Sequence, residues 1–215
     1  MLANSLEDRA ILVQPRSLAF ALPLLASLAA GSAAAQEVSS FSVIDDNALE
    51  AVSGVAHVNQ SAGDANLQLN GAAVVINDTG ASIGIVSFVQ SSATEVPSPD
   101  TLEVDAVSII DDDAFANVQG LLSVNQASGL SNQQANLVTM ALGVDGEIVA
   151  EAELSQTRTD GQPAADFEPD GVRHTHIDDG AFRDASGVVQ VNQVAGVSNS
   201  TFNRFALSLA AGSGP

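Results

Sequence analysis

The chain has 215 residues, and its 26 acidic side chains against six arginines and no lysine give a formal net charge of −20. A surface of that sign cannot neutralise phosphates, which excludes nucleic acid as a partner, and the absence of cysteine excludes a disulfide framework. Aromatic residues make up only 4% of the chain, so few large side chains could fill a globular core, and small β-formers with amides suit stacked flat layers better.

At the N-terminus, Arg16 is followed by "SLAFALPLLASLAAGSAAA", an apolar run ending in small residues before Gln36. This is the pattern of a secretory signal over 1–35, cleaved after Ala35. The run is too short and too rich in alanine to favour a transmembrane anchor.

Beyond it the chain repeats itself. Windows 44–70, 110–136 and 177–203 share eleven identical positions of 27, and each opens on Ile-Asp-Asp. Internal repeats imply units that bury their apolar surface against their neighbours. The expected organisation is repeat 1 over 41–92, a linker over 93–106, repeat 2 over 107–158, a linker over 159–173 and repeat 3 over 174–212. Both linkers are acidic and contain Pro, and the second also contains Gly.

The first part of each repeat is Ile-Asp-Asp-x-Ala-(Leu/Phe), closed by glycine. Asp46, Asp112 and Asp179 read as caps, with Gly54, Gly120 and Gly187 as stops, of a one- to two-turn helix. A tight turn built on the same residues is the alternative. The acidic runs could hold calcium, but they lack the spacing of an EF-hand or of a calcium β-roll, and capping or turn formation is favoured.

A strand follows, with one parity carrying Ala56, Val58 and Gln60 and the other His57 and Asn59, and the same alternation near 122–126 and 189–193. Gly63, Gly129 and Gly196 then mark turns. A second strand begins at Asn66, Asn132 and Asn199. On one of its parities amides precede apolar residues, as in Asn132, Gln134, Asn136, Val138, Met140 and Leu142. Weaker strands over 81–90 and 147–156 end at Gln90 and Gln156.

Buried amides need partners. Stacking in register supplies them: Asn59/Asn125/Asn192, Gln60/Gln126/Gln193, Asn66/Asn132/Asn199 and Asn70/Asn136/Asn203 would form ladders at a strand spacing of about 4.8 Å. The fold class expected is all-β, a repeat-built β-solenoid or cross-β stack.

The elements Gly-x-x-x-Val-Asn-Gln-x-(Ala/Ser)-Gly-x-x-Asn-x-x-x-Asn resemble the repeats of the Fap functional amyloids, the fibril subunits of bacterial biofilm matrices. "SVNQASGLSNQQAN" (123–136) is the closest copy. Curli subunits are a more distant comparison. Two features depart from the Fap pattern, the missing Cys-x-x-Cys and the Ile-Asp-Asp-x-Ala-Phe lead-in. The resemblance implies an exported, self-associating protein of the cell surface or matrix, reached through the periplasm. It also implies an outer-membrane export pore and other fibril subunits as partners.

His174 and His176, with Asp178 and Asp179 nearby, could form a weak metal site, but a solvated polar strand is favoured, and no metal or cofactor is expected. The chain has no Gly-x-Ser-x-Gly, no thiol and no phosphate loop, so no enzymatic activity is expected. The alternative to a fibril subunit is a monomeric secreted β-solenoid adhesin that binds a surface or glycan.

Overall fold

The computed structural model describes residues 36–77, 82–94, 102–143, 148–160 and 170–210, all within the unit Ala33–Pro215. The expected leader over 1–35 lies outside the described residues. So do 95–101 and 161–169 of the two expected linkers.

The described chain is all-β. Four strands, β1 (Gln36–Ile44), β2 (Ser53–Ala62), β3 (Leu67–Asn77) and β4 (Ser82–Thr94), make a first serpentine rung. Strands β5 (Leu102–Ile110), β6 (Gln119–Leu130), β7 (Gln133–Gly143) and β8 (Ile148–Asp160) retrace that path as a second. Strands β9 (Arg173–Ile177), β10 (Ser186–Val197) and β11 (Ser200–Ala210) form a third.

Hydrogen bonding runs between rungs, in four parallel sheets ordered β1-β5-β9, β10-β6-β2, β11-β7-β3 and β4-β8. Register pairs each residue with the one 66 or 67 positions away: Asn59 with Asn125, Asn125 with Asn192, Gln90 with Gln156. Every sequence position therefore sits above its own counterpart.

The segment after each Ile-Asp-Asp is not a helix. Its residues form consecutive turns, with left-handed φ at Asp46, Leu49 and Ala51 in the first rung and at Asp112, Phe115 and Asn117 in the second. Left-handed residues at this spacing cannot propagate a right-handed helix. The turns also bond across rungs, with Phe115 N–H donating to Ala48 O (2.8 Å) and Phe182 N–H to Ala114 O (3.0 Å). The Phe115 and Phe182 rings stack at 5.1 Å. Gly54, Gly120 and Gly187, expected as helix stops, are each the second residue of a strand.

Strand β5 starts at Leu102, inside the segment 93–106 expected as linker. Its alternation explains why: Val104, Ala106, Ser108 and Ile110 are fully buried, while the intervening side chains face outward. The first sheet packs on the second through Ile44, Ile110, Phe115, Leu122 and Val124. The third packs on the fourth through Leu137, Val86 and Ala152. Between the second and third sheets the contact is made of amides.

Burial follows rung order. From Leu121 to Thr139 the middle rung is buried without interruption, while Val55, Val74 and Ile76 of the first rung and Phe202, Leu207 and Leu209 of the third are exposed.

Two columns of glycine permit this close stacking. Gly54, Gly120 and Gly187 have φ of 109°, 122° and 111°, values that L side chains rarely adopt. A Cβ on Gly120 would lie 2.2 Å from Gly54 O, and one on Gly187 2.0 Å from Gly120 O. In the second column, Gly63 and Gly129 face Gly129 O and Gly196 O at 2.2 and 2.0 Å. Gly129 and Gly196 lie within strands, and the adjoining turns use left-handed Ser131 and Ser198. Gly54 is different, because nothing lies within 4 Å of its added Cβ. In urea unfolding of dilute, unassembled chain, Gly120→Ala should therefore lose about 1–3 kcal/mol more than Gly54→Ala. The two share the strained φ, so equal losses would mean the rungs do not approach as described.

Candidate functional site

The candidate site is the system of amide columns and the two open ends where those columns terminate. Strand alternation sends Asn59, Asn125 and Asn192 from the second sheet toward the third, which sends Asn70, Asn136 and Asn203 back. Asn125 Nδ2 donates to Asn59 Oδ1 (3.0 Å), Asn70 Oδ1 (2.9 Å) and Leu69 O (2.8 Å). Asn192 Nδ2 repeats this one rung on, with Asn125 Oδ1 (3.0 Å), Asn136 Oδ1 (3.1 Å) and Ala135 O (2.9 Å). Asn136 Nδ2 donates to Asn70 Oδ1, Asn125 Oδ1 and Val124 O, each at 3.0 Å. Asn203 Nδ2 donates to Asn136 Oδ1 at 3.0 Å. The two columns form one zipper, and Asn125 and Asn136 are wholly buried in it.

The glutamine column joins the first sheet to the second. Gln126 Nε2 reaches Gln60 Oε1 (3.0 Å) and Ile109 O (2.8 Å). Gln193 Nε2 reaches Gln126 Oε1 (2.9 Å) and His176 O (2.8 Å), and Gln60 Nε2 reaches Val43 O (2.8 Å). Each glutamine thus holds the carbonyl at the same register position of β1, β5 or β9.

Asn66, Asn132 and Asn199 serve the turn and the ladder together. Asn132 donates from both N–H and Nδ2 to Asn66 Oδ1 at 2.9 Å, and from Nδ2 to Ser128 O in its own turn at 3.2 Å. Asn199 N–H and Nδ2 donate to Asn132 Oδ1 at 3.1 and 2.9 Å. Two further glutamine pairs extend the pattern: Gln68 with Gln134 at 2.8 Å and Gln156 with Gln90 at 2.6 Å.

The amide–amide bonds between rungs nearly all have one sense. Where two amide side chains of different rungs bond, the donor belongs to the later rung and the acceptor to the earlier, and among the described amide–amide pairs only Gln68 to Gln134 runs the other way. Bonds to backbone carbonyls are mixed, with Asn66 Nδ2 to Gly129 O, Asn70 Nδ2 to Ser123 O and Asn132 Nδ2 to Gly196 O pointing to the later rung. The two ends of the stack are therefore chemically different. At the first rung, Asn59 Nδ2 donates to nothing among the described residues, although its equivalents each have three acceptors. At the third, Gln193 Oε1, Asn199 Oδ1 and Asn203 Oδ1 accept nothing among the described residues, although the same atoms one rung earlier do.

The aspartates line one corner. Asp45 Oδ1 accepts the Asp46 N–H (2.7 Å), Asp111 Oδ1 the Asp112 N–H (3.1 Å) and Asp178 Oδ1 the Gly180 N–H (2.7 Å). The first aspartate of each pair supplies the turn acceptor, not the second as expected for helix caps, because no helix N-terminus exists for Asp46, Asp112 or Asp179 to cap. Arg183 pairs with Asp113 at 2.8 Å. Stacking crowds the remaining carboxylates: Asp45 foremost, then partial desolvation, then Asp111, Asp46 and Asp178 push the Asp112 carboxyl above its usual range. Burial lowers the His57 imidazole, opposed in part by a hydrogen bond with the Asn70 backbone. The His174 and His176 rings lie nearly parallel, 6.3 Å apart.

In-register parallel rungs joined by amide ladders define a protein of the cross-β class. Within that class, the chain belongs to the functional amyloid protein FapB/FapC family, whose family model matches residues 26–210. This is a family of structural amyloid proteins, not of enzymes. No solved structure matches the chain.

The Asp112 shift has a signed consequence. A carboxyl raised in the folded state binds its proton more tightly there than in the unfolded chain. The stabilisation is complete below the unfolded value and is lost as pH rises through the raised folded value. In chelator-containing buffer, the urea midpoint of wild type should rise between about pH 7 and pH 4. Asp112→Asn should rise less and start higher at neutral pH. A midpoint equally pH-dependent in both chains would show that Asp112 carries no such repulsion.

Proposed function

We propose that the chain is exported and assembles head to tail into fibrils of the cell surface or biofilm matrix, the first rung of one copy stacking on the third rung of the next. The carrying observation is the complementarity of the two ends. A copy placed at the same register would give Asn59 Nδ2 the acceptors Asn192 Oδ1, Asn203 Oδ1 and Phe202 O, the counterparts of those that serve Asn125. At that register the exposed Val74 and Ile76 would stack on the exposed Leu207 and Leu209, and the exposed Val55 on the half-buried Val188. A heterologous contact of this kind does not close on itself and generates a filament.

A monomeric solenoid adhesin would need covered ends, because an open strand edge is a template for pairing. Among the described residues nothing covers the outer edges of β2 or β10. Export by way of the periplasm and an outer-membrane pore, and co-assembly with other fibril subunits, belong to this reading. They rest on the family and on the leader-like segment.

Thioflavin growth curves of the chain lacking residues 1–35 test the proposal. Replacing Asn125, Gln126, Asn132 and Asn136 with alanine should slow growth far more than four alanines placed within 95–101 and 161–169. Each lost amide leaves buried neighbours unpaired at about 1–3 kcal/mol. Equal curves for the two variants would contradict assembly through the ladders.

A further inference from the structure

The turn corner of the third rung carries a side-chain set that the amide ladders do not use. Outward positions of the first sheet run Val43, Ile109, His176 in register, and the aspartate that opens each turn runs Asp45, Asp111, Asp178. The first two rungs thus place an aliphatic side chain beside this corner, and the third places an imidazole. Parallel stacking brings His176 next to the carboxylate of its own turn and to that of the rung beneath. A ring nitrogen of His176 and a carboxylate oxygen each from Asp111 and Asp178 lie within 4.8 Å of one another.

We propose that Asp111, His176 and Asp178 bind one divalent transition-metal ion of the zinc type, joining the second rung to the third. Several features hold the donors in place. Asp111 and Asp178 each have one oxygen fixed by a turn N–H, Asp112 at 3.1 Å and Gly180 at 2.7 Å, which leaves the other oxygen free to ligate. The backbone of His176 is pinned by Gln193 Nε2 on its carbonyl at 2.8 Å, and its ring is flanked by His174. His176 is exposed and the aspartates are half-buried, so solvent can reach the ion and complete its shell. Bonds of about 2.0–2.2 Å to one nitrogen and two oxygens suit zinc and its neighbours.

Calcium and magnesium prefer six or more oxygen ligands, so this mixed set discriminates against them. The other acidic group, Asp45, Asp46 and Asp112, is exposed and all-carboxylate; it has no feature beyond its charge and is not included. An ion at His176 would tie down β9, a strand of five exposed residues, and offset the repulsion between the Asp111 and Asp178 carboxylates.

The proposal is independent of fibril formation and is tested on the untagged chain lacking residues 1–35. Equilibrium dialysis against zinc chloride should give one ion per chain. His176→Ala and Asp111→Asn should each weaken binding about tenfold or more, and His57→Ala should leave it unchanged. Calcium at equal concentration should not displace the zinc. Cobalt(II) in place of zinc should give visible absorption that His176→Ala abolishes. In wild type, zinc should shift the His176 ring proton resonances and leave those of His57 in place, a readout that needs no variant. Zinc binding that survives His176→Ala or Asp111→Asn, equal displacement by calcium, or resonances at His176 that do not move would overturn the assignment.

Discussion

The structure depends on the requirement that a buried amide find its hydrogen-bond partners. An Asn or Gln removed from water without them costs several kcal/mol, and this chain buries Asn125, Gln126, Asn132, Gln134 and Asn136 completely. A counterpart one strand spacing away, together with backbone carbonyls such as Leu69 O and Val124 O, satisfies such a side chain and leaves the same unmet requirement on the next. Parallel in-register pairing provides that counterpart. A slip of one residue would place Asn125 over Val58 or Gln60 instead of Asn59 and turn every side chain to the other face. The amides therefore contribute specificity of register as much as stability.

The remaining features follow from that register. Glycine occurs in columns because a Cβ at Gly63, Gly120, Gly129 or Gly187 would be driven into the carbonyl of the adjacent rung. Phe115 stacks on Phe182 and Ile110 lies between Ile44 and Ile177 because like falls on like. Stacking also brings acid onto acid at the turn corner, and there the crowding raises the Asp112 carboxyl. With a net charge of −20, the chain opposes its own compaction and association at neutral pH. The same repetition that joins the amides sets the electrostatic resistance that assembly must overcome.

Much of this was legible in the sequence, because period-two alternation and the 66- or 67-residue spacing are visible without coordinates. The faces of β2 and β3, and the residues that stack on Asn125 and Gln126, could be read directly. The first sheet could not. Its buried positions in β1, Ser40 and Ser42 before Ile44, are small and polar, and β5 adjoins an acidic stretch that reads as linker. The Ile-Asp-Asp segment carries helix punctuation, an acidic residue before a short run closed by glycine, and only the left-handed φ of Asp46, Leu49 and Ala51 separates it from a helix. The sense of the ladders, and the meeting of His176 with Asp111 across 65 positions, belong to side-chain placement and have no signature in a linear pattern.

Side-chain amide hydrogen exchange, followed by NMR on the unassembled chain, tests the central claim most directly. If the ladders hold the rungs together, the NH₂ groups of Asn125, Gln126 and Asn136 exchange as slowly as the backbone amides of β6 and β7, while that of Asn59, which has no acceptor among the described residues, exchanges like a free amide. Fast exchange at Asn125 and Asn136 beneath a protected backbone would contradict the account, because the strands would then be stacked without the amides joining them.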